Sequence, residues 1–461
     1  MEKIFHNIWD SFRETFNTEN EEAKGRVITL SSNMLAAFYN VFITGIFYTG
    51  FLTMYGMSIT DAGIITFVPY IANMFSIFSS KILGRFPRPK KLLLTCKIIF
   101  YALFILATTI MPGIVTDPNA RLVWFVIIIF LAHVFYAPFA PGFTTWFYNF
   151  YPEDNTRRAR YIMLLQIFSS ITSSLILLLS GFITDMLNDS PYQDQLILGF
   201  RYFAFLLVLL EIFMQSKAKE YPSPNNPDLK LHEVFTLPFH YPKFLACMVM
   251  MFVWNFIANL NNGLWNYHLL NHLDFSYTMI NTMAVLYTFV LITLSALWQR
   301  VLRRYSWIKT FGIALLFWVP TEFVLGSMTP DTTYFYVPMG LFQHVLSVGL
   351  NISYANILYM NLPTENSGTH IVFNTIGCNI FAFLGLMTGT WISSFTGDKT
   401  FNMLGMDFYS VQFTCYLRGI LILILGIVLV IKWRSFTRDI DIAEIEQMKY
   451  VRQKFKHQRR I

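Results

Sequence analysis

The stretch of sequence that decides the architecture is QSKAKEYPSPNNPDLKLHEVFTLPFHY, residues 215–241. It contains four prolines among lysine, asparagine and glutamate residues, and it is the only long polar interruption between apolar runs. Prolines and polar side chains at this density are typical of a linker. The segment therefore predicts a boundary between two parts of similar length, residues 28–215 and 243–433.

The composition excludes a soluble protein. Of the 461 residues, 55% are apolar, 18% are aromatic and 13% are charged, whereas a soluble domain carries roughly 25% charged residues. A water-soluble globule could not bury this much hydrocarbon, and a disordered chain would have the opposite balance. The four cysteines all lie in apolar runs without metal-binding spacing, so we interpret them as buried hydrophobic residues and expect no metal or other cofactor.

Twelve segments are long and apolar enough to cross a bilayer as helices. A spanning helix needs about 20 mainly apolar residues, because each residue adds ~1.5 Å of length. The twelve segments lie near residues 28–55, 60–83, 91–113, 121–149, 160–184, 196–215, 243–270, 278–300, 308–328, 333–360, 368–395 and 411–433. The sequence therefore predicts an all-α integral membrane protein with six spans on each side of the linker.

Basic residues are concentrated in the connections that follow even-numbered spans. Between spans two and three, for example, lie Arg85, Arg88, Lys90 and Lys91, whereas the opposite connections carry aspartates and almost no basic residues. Lysine and arginine favour the cytoplasmic face of a membrane. We therefore predict a multi-pass protein of the plasma (bacterial inner) membrane with both termini in the cytoplasm. The net charge of +7 belongs to this face and not to a nucleic-acid site.

The linker and the charge pattern together define the predicted domains. These are a cytoplasmic amphipathic segment at 1–27, a six-helix bundle at 28–215, a cytoplasmic linker at 216–242, a second six-helix bundle at 243–433 and a cytoplasmic tail at 434–461. The two bundles also look like repeats, because an offset of about 217 residues places Arg85 on Arg303 and Arg201 within one residue of Arg418.

The connection between spans two and three, GRFPRPKKL at residues 84–92, resembles the basic motif of the major facilitator superfamily. It stands in the loop where that family carries the motif, although Gly84 and Pro87 replace an acidic residue and a glycine. Residues 31–33 and 69–73 are similar to poorly characterised bacterial permeases of the same superfamily. The resemblance covers nearly the whole chain. It implies two pseudo-symmetric six-helix bundles that rock about a site near the middle of the membrane.

The resemblance also implies that spans one, four, seven and ten line a central cavity. Span seven fits this expectation because Asn255, Asn259, Asn262 and Asn266 recur at i, i+4, i+7 and i+11, on one face of a helix. An amide that faced lipid would leave donors and acceptors unpaired at ~1–3 kcal/mol each. The candidate substrate-binding residues on the other three lining spans are Asn33, Asn40, Tyr48, His133, Tyr136, His344, Asn351 and Tyr354.

These lining groups are neutral. Amides offer paired donors and acceptors, and aromatic rings offer apolar faces. The combination suits a small polar organic solute, preferably a sugar or glycoside, whereas a dicarboxylate or phosphate would require arginine or lysine on the stripes. The same aromatic residues also suit lipophilic drugs, so multidrug efflux is the alternative. An integral-membrane transferase is a distant alternative, because it would need clustered acids or a His–Asp pair at the membrane surface.

Four charged residues are candidates for coupling or gating. Glu322, Arg201 and Arg418 lie inside predicted spans, where the bilayer penalises charge, and Arg85 belongs to the basic motif. Each intramembrane arginine could instead anchor its helix, by reaching outward or by pairing with an aspartate near the outer end. We expect a monomer in contact with membrane lipids. Coupling to a proton or a sodium ion stays open, as does facilitated transport.

Overall fold

A computed structural model describes residues 21–152, 155–187, 190, 192–221, 231–302, 305–363, 367–403 and 406–437. The predicted amphipathic segment as far as residue 20, residues 222–230 of the linker and the tail beyond residue 437 lie outside these ranges. The chain packs as two compact units. One comprises Met1–Leu229, Leu269–Asn271 and Phe275–Val285, and the other comprises Lys230–His268, His272–Asp274 and Leu286–Ile461.

All six predicted spans before the linker are helical, and the first four of them are divided into shorter pieces. The pieces are Glu21–Ile43 and Gly45–Met54; Ile59–Asn73, the 3₁₀ turn Met74–Phe78 and Ser79–Leu83; Lys90–Tyr101, the π-helical Ala102–Ala107 and Thr108–Ile114. Span four consists of Pro118–Tyr136 and Ala140–Tyr148, and spans five and six are Asn155–Met186 and Tyr192–Ser216.

The spans after the linker are helical as well. They are Pro242–Asn259 with Leu264–Asn271, Tyr277–Leu302, Trp307–Gly326, Tyr336–Met360, Ser367–Ser393 and Gln412–Phe436. Short helical turns at Leu231–Thr236, Leu237–His240 and Pro330–Phe335 join them. Among the described residues, eleven helices are long and apolar enough to cross a membrane, and the helix of predicted span ten is not one of the eleven.

Local sequence signals explain where several of these helices begin. Ser58 accepts a hydrogen bond from the backbone N–H of Asp61, while the Asp61 carboxylate accepts one from the backbone N–H of Ser58. This reciprocal pair satisfies two of the free N–H groups at the start of span two. At the start of span four, the Asp117 side chain accepts a single hydrogen bond of 2.7 Å from the backbone N–H of Ala120, and Pro118 is at the first helical position.

Spans one and seven break at corresponding places. Gly45 has a φ of +60° and follows the helix that ends at Ile43, and Gly263 has a φ of +77° and precedes the helix that begins at Leu264. Glycine adopts these left-handed conformations without the steric cost that a Cβ imposes. Each break therefore coincides with a glycine, and the two glycines lie at equivalent positions of the two predicted repeats.

The helices after the linker share one large apolar core. Phe244, Met248, Phe311 and Trp318 belong to it, together with Leu350 from span ten. In this core, spans nine and twelve approach closely because their facing positions are small: a Cβ on Gly312 would lie 3.1 Å from the carbonyl oxygen of Gly426. Small residues let membrane helices pack backbone against backbone, and this packing positions the charged residues described below.

A two-stranded antiparallel hairpin interrupts the all-helical pattern between spans eleven and twelve. Thr400–Met403 pairs with Met406–Tyr409, with Thr400 opposite Tyr409. These strands were not predicted from the sequence, although the all-α fold class is otherwise correct. The hairpin brings Asp398, which precedes it, to His272 at the end of span seven.

Candidate functional site

A polar cavity of about 230 Å³ lies within the unit that follows the linker. It is enclosed by the break in span seven and by side chains of spans nine, ten and twelve. The residues that line it are Ala258, Asn261, Asn262, Gly263, Trp265, Asn266, Glu322, Leu325, Gln343, Cys415 and Arg418. Asn262 and Asn266 were predicted to bind substrate, and Glu322 and Arg418 were predicted to act in coupling or gating. The cavity brings the two sets together.

Glu322 and Arg418 form an ion pair at the wall of this cavity. Arg418 Nη1 lies 3.2 Å from Glu322 Oε1 and also donates to Asn261 Oδ1 at 3.3 Å. The carboxylate also accepts hydrogen bonds from Trp318 Nε1 at 2.5 Å and from Gln343 Nε2 at 3.2 Å. Glu322 is thus held by three side chains, which satisfy the hydrogen-bonding capacity of a buried carboxyl group.

Arg418 is less completely bound than its partner. Its side chain is 16% exposed, against 2% for Glu322, and its Nε is buried without a hydrogen-bond partner among the described residues. Span twelve can approach Glu322 this closely because residue 419 is glycine, where a Cβ would lie 3.2 Å from the Cβ of Glu322. The sequence analysis considered aspartates near the outer ends as partners for Arg418, and Glu322 takes that place instead.

The predicted stripe of span seven is not one continuous helical face. Its first helix ends at Asn259 and the second begins at Leu264, so Asn262 lies in the intervening turn and Asn266 in the second helix. The break also turns Asn261, which the stripe did not include, toward Arg418. An asparagine followed by glycine is a turn signal, and Asn262–Gly263 could have predicted this break.

The other two asparagines of the stripe make helix contacts. Asn255 Nδ2 donates to the carbonyl of Met251 at 2.8 Å and to the hydroxyl of Tyr354 at 2.6 Å. Asn259 Nδ2 donates to the carbonyl of Asn255, and Asn262 Nδ2 donates to the Asn259 side chain at 3.1 Å. Tyr354 and Asn255 therefore join spans ten and seven away from the residues that line the cavity.

In span ten, His344 and Asn351 share a partner that the sequence analysis missed. The hydroxyl of Tyr287, on span eight, accepts a hydrogen bond of 2.7 Å from Asn351 Nδ2, and its ring centre lies 5.5 Å from that of His344. Asn351 is exposed. Tyr287 lies in a flanking span with no polar stripe, so only the structure reveals this cluster.

In span four, His133 and Tyr136 lie in an aromatic cluster. The His133 ring is 5.0 Å from Phe100 and 5.2 Å from Phe104, edge to face in both cases, and its Nδ1 lies 2.9 Å from the carbonyl of Ile129 in its own helix. Tyr136 stacks on Phe100 at 4.5 Å. These contacts are those of packing residues and not of a polar binding surface.

The three predicted residues of span one lie on its two separate helices. Asn33 and Asn40 are exposed on the first helix, where Asn33 Nδ2 donates to the carbonyl of Thr29 at 2.8 Å. Tyr48 lies on the second helix with its hydroxyl buried and without a hydrogen-bond partner among the described residues. The Tyr48 ring centre is 5.5 Å from the guanidinium carbon of Arg201.

Arg201 is fully buried and is bound by hydroxyl groups. Its Nε donates to Thr109 Oγ1 and its Nη2 donates to Thr108 Oγ1, both at 2.7 Å. The guanidinium also lies over the ring of Phe51 at 4.0 Å. Asp185, one of the aspartates near the predicted outer ends, accepts hydrogen bonds from the backbone N–H groups of Tyr277 and Thr278 and not from Arg201.

A second buried ion pair, between Lys97 and Glu211, was not predicted as a pair. Lys97 Nζ lies 2.7 Å from Glu211 Oε1, and both side chains are less than a tenth exposed. Tyr39 and Gln215 donate to the same carboxylate at 3.0 and 2.7 Å. The signal was available, because a lysine inside a predicted span is costly unless it is paired.

The basic motif holds the start of the linker. Lys90 Nζ donates to the carbonyl of Ala218 at 2.6 Å, and its backbone N–H donates to Glu220 at 3.0 Å. Trp146 Nε1 donates to the carbonyl of Lys219 at 2.7 Å. Arg85, the predicted gating residue of this motif, is exposed.

Comparison with known proteins provides an independent result. The family model of the Major Facilitator Superfamily matches residues 30–263. No curated protein matches the sequence.

Several solved structures share the fold. The nucleoside transporter NupG superposes with a TM-score of 0.64 at 12% identity, covering 91% of this chain and all of that chain. A D-xylose–proton symporter gives 0.63 at 10% identity, with 88% and 96% covered. A bacterial homologue of the human lysosomal transporter Spinster gives 0.62 at 13% identity, with 91% and 98% covered. At these identities the likeness establishes the fold: twelve helices in two domains.

Proposed function

The chain belongs to the major facilitator superfamily, a family of secondary transporters, and from this premise we propose that it moves a small polyhydroxylated solute, a sugar or glycoside, across the plasma membrane by alternating access. The observation that carries the proposal is the neutral amide lining of the polar cavity. The cavity is lined by the amide side chains of Asn261, Asn262, Asn266 and Gln343 and by one aromatic side chain, Trp265.

The charge balance of the cavity favours a neutral solute. Its one arginine, Arg418, is paired with Glu322, so the wall carries no net charge when both groups are ionised. An anionic substrate would need an uncompensated cation to offset the loss of its hydration. Hydroxyl groups can instead pair with amides while the C–H faces of the solute pack on an indole ring.

We further propose that Glu322 couples transport to protons. Protonation of Glu322 would remove one charge of the ion pair and release Arg418 to donate to a bound solute. Proton binding and solute binding would then favour each other, as thermodynamic linkage requires. Lys97 and Glu211 form a comparable pair, but the described polar cavity does not include them, so we assign coupling to Glu322 and Arg418.

A thermal-shift screen of the purified protein tests the solute class. The panel contains sugars, glycosides, nucleosides, amino acids and lipophilic cations. We expect a sugar or glycoside to raise the Tm, and we expect the double substitution Asn262→Ala with Asn266→Ala to abolish the increase. Asn379→Ala is the matched control, because Asn379 Nδ2 donates to the carbonyl of Thr375 in its own helix. An increase that survives both cavity substitutions would contradict the site.

Transport by reconstituted vesicles tests the coupling. We expect Glu322→Gln to keep solute exchange across the membrane but to lose accumulation driven by a proton gradient. Glu220→Gln is the control carboxylate, because Glu220 lies at the start of the linker. A Glu322→Gln protein that still accumulates solute would contradict proton coupling at this residue.

Multidrug efflux remains the second candidate because of one feature. An apolar cavity of about 610 Å³ lies between Phe395, Phe401, Phe413 and Tyr416, where a lipophilic molecule would find almost no polar group. Extrusion of a fluorescent cation from the same vesicles, without uptake of any sugar, would favour efflux over the proposed function.

A further inference from the structure

Two histidines and an aspartate form a continuous chain at the end of span seven. His268 Nδ1 lies 3.0 Å from His272 Nδ1, and His272 Nε2 lies 3.1 Å from Asp398 Oδ1. His268 is fully buried and His272 is 8% exposed, whereas the Asp398 side chain is 42% exposed. This hydrogen-bonded series of side chains therefore leads from solvent into the interior of the unit that follows the linker.

The hydrogen bonds fix where the protons lie. An ionised Asp398 can only accept, so His272 must donate from Nε2. A neutral imidazole carries one proton, and His272 Nδ1 is then an acceptor. His268 must therefore donate from Nδ1, and its Nε2 carries a lone pair. That Nε2 is buried and has no hydrogen-bond partner among the residues the structure describes.

Uncharged aromatic side chains pack against the two histidines and orient their rings. The His272 ring stacks on Tyr409 of the hairpin, with 3.8 Å between ring centres and 5° between planes. Tyr267 and Tyr409 also contact the two imidazoles through ring edges. Among the described residues, the ion pair with Asp398 is the one that these two histidines form.

The buried end of the chain lies beside the cavity that contains Glu322. The His268 ring centre is 5.3 Å from that of Trp265, and Trp265 lines the cavity. Asn266, which also lines it, is two residues from His268. A water molecule bound between His268 Nε2 and the polar groups of this cavity would continue the hydrogen-bonded path.

We propose that Asp398, His272 and His268 form a proton relay between the solvent and the cavity of Glu322; this role rests on the proton coupling proposed above. In the outward direction, His268 Nε2 takes a proton from the cavity and His268 Nδ1 passes its own proton to His272 Nδ1. His272 Nε2 then passes its proton to Asp398, which releases it to solvent. The reverse sequence brings one proton inward, and no other reactant is consumed.

A purely structural role predicts a different behaviour. If the three residues only attach the hairpin to span seven, any side chain that keeps the hydrogen bonds will serve. Asp398→Asn keeps an acceptor oxygen for His272 Nε2 but cannot take up the proton. This substitution therefore separates a relay from a static bridge.

The first test is ¹⁵N NMR of the histidine-labelled full-length protein in lipid nanodiscs, with each signal assigned by a histidine-to-glutamine substitution. We expect a proton on Nδ1 of His268 and on Nε2 of His272. We also expect the buried His268 proton to exchange with deuterated solvent at least tenfold faster in the wild type than in Asp398→Asn. His240→Gln, in the exposed turn before span seven, is the control. Equal exchange rates in wild type and Asp398→Asn would overturn the relay.

The second test follows the protonation of Glu322 after a pH jump by difference infrared spectroscopy, using the Glu322→Gln protein to identify the carboxyl band. We expect Asp398→Asn and His272→Gln to slow the change at least tenfold. An unchanged rate would also overturn the relay. A wild-type protein in which Glu322 never titrates would instead contradict the proposed coupling, and the NMR exchange would still decide whether the histidines pass protons. Neither test requires a transported solute.

Discussion

Arg201 and Arg418 occupy corresponding positions of the two sequence repeats, yet within the described residues only Arg418 contacts a carboxylate. Arg418 lies 3.2 Å from Glu322, whereas Arg201 donates to the hydroxyls of Thr108 and Thr109. The same repeat position thus holds a titratable ion pair in one half and a cation bound by neutral groups in the other. The coupling proposed above therefore involves Arg418 and not Arg201.

The threonine hydroxyls that bind Arg201 predict which of two variants is the less stable. Thr108→Val with Thr109→Val removes the two hydroxyl acceptors of a buried guanidinium, at a cost of ~1–3 kcal/mol for each lost bond. Arg201→Met removes the charge itself, and both threonines keep hydrogen bonds to carbonyls of their own helix. We expect the double threonine variant to have the lower Tm in detergent. A lower Tm for Arg201→Met would contradict this description of the site.

The Lys97–Glu211 pair predicts strong coupling between two substitutions. Lys97→Met leaves the Glu211 carboxylate buried and uncompensated, at a cost of ~3–5 kcal/mol. Adding Glu211→Gln removes that charge, so the double variant is expected to recover part of the lost stability. A double-mutant cycle of unfolding free energies measures the interaction. Additive effects would show that the two groups do not depend on each other.

Gly389 controls the turn that carries Asn261 and Asn262. A Cβ at Gly389 would overlap the carbonyl oxygen of Leu260, which is backbone and cannot rotate away. We expect Gly389→Ala to displace the turn and to weaken solute binding as well as stability. Gly199→Ala is the matched control, because a Cβ there meets nothing within 4 Å. Equal Tm values and affinities for the two variants would contradict the predicted overlap.

His272 predicts a loss of stability in acid. Burial lowers the pKa of His272 from its ordinary value of 6.5, although the hydrogen bond and the charge of Asp398 act in the opposite direction. Between the lowered pKa and 6.5, the unfolded chain binds more protons than the folded protein does. Stability is therefore expected to fall as the pH drops below 6.5. Comparing Tm at about pH 7 and pH 5 in wild type and His272→Gln tests this, since the substitution should reduce the dependence.

The sequence predicted the fold because a bilayer makes hydropathy decisive. Twelve apolar runs and one polar linker were enough to place two six-helix halves, and residues 84–92 identified the family. The helix breaks were harder, because the periodicity of an amide stripe assumes an unbroken helix. Gly45 and Gly263 mark both breaks, but a glycine inside a membrane helix is common and does not by itself reveal a positive φ.

The candidate site was predicted only in part, because it depends on contacts between distant segments. Asn262 and Asn266 could be found from their spacing, and Glu322 from the cost of charge in a membrane. The ion pair between Glu322 and Arg418 depends on the close approach of spans nine and twelve at Gly419. No local sequence pattern predicts this approach. His133 and Tyr136 show the converse, since polar side chains in a predicted lining span turned out to pack among aromatic rings.

The most direct test of the central claim is calorimetric measurement of the dissociation constant of the tightest-binding sugar or glycoside from the screen, with wild type, Asn266→Ala and Asn379→Ala. If the amide-lined cavity holds the solute, Asn266→Ala should weaken binding by about tenfold, which corresponds to ~1.4 kcal/mol for the lost hydrogen bonds, and Asn379→Ala should leave it unchanged. Equal dissociation constants for all three proteins would place the solute elsewhere and contradict the account.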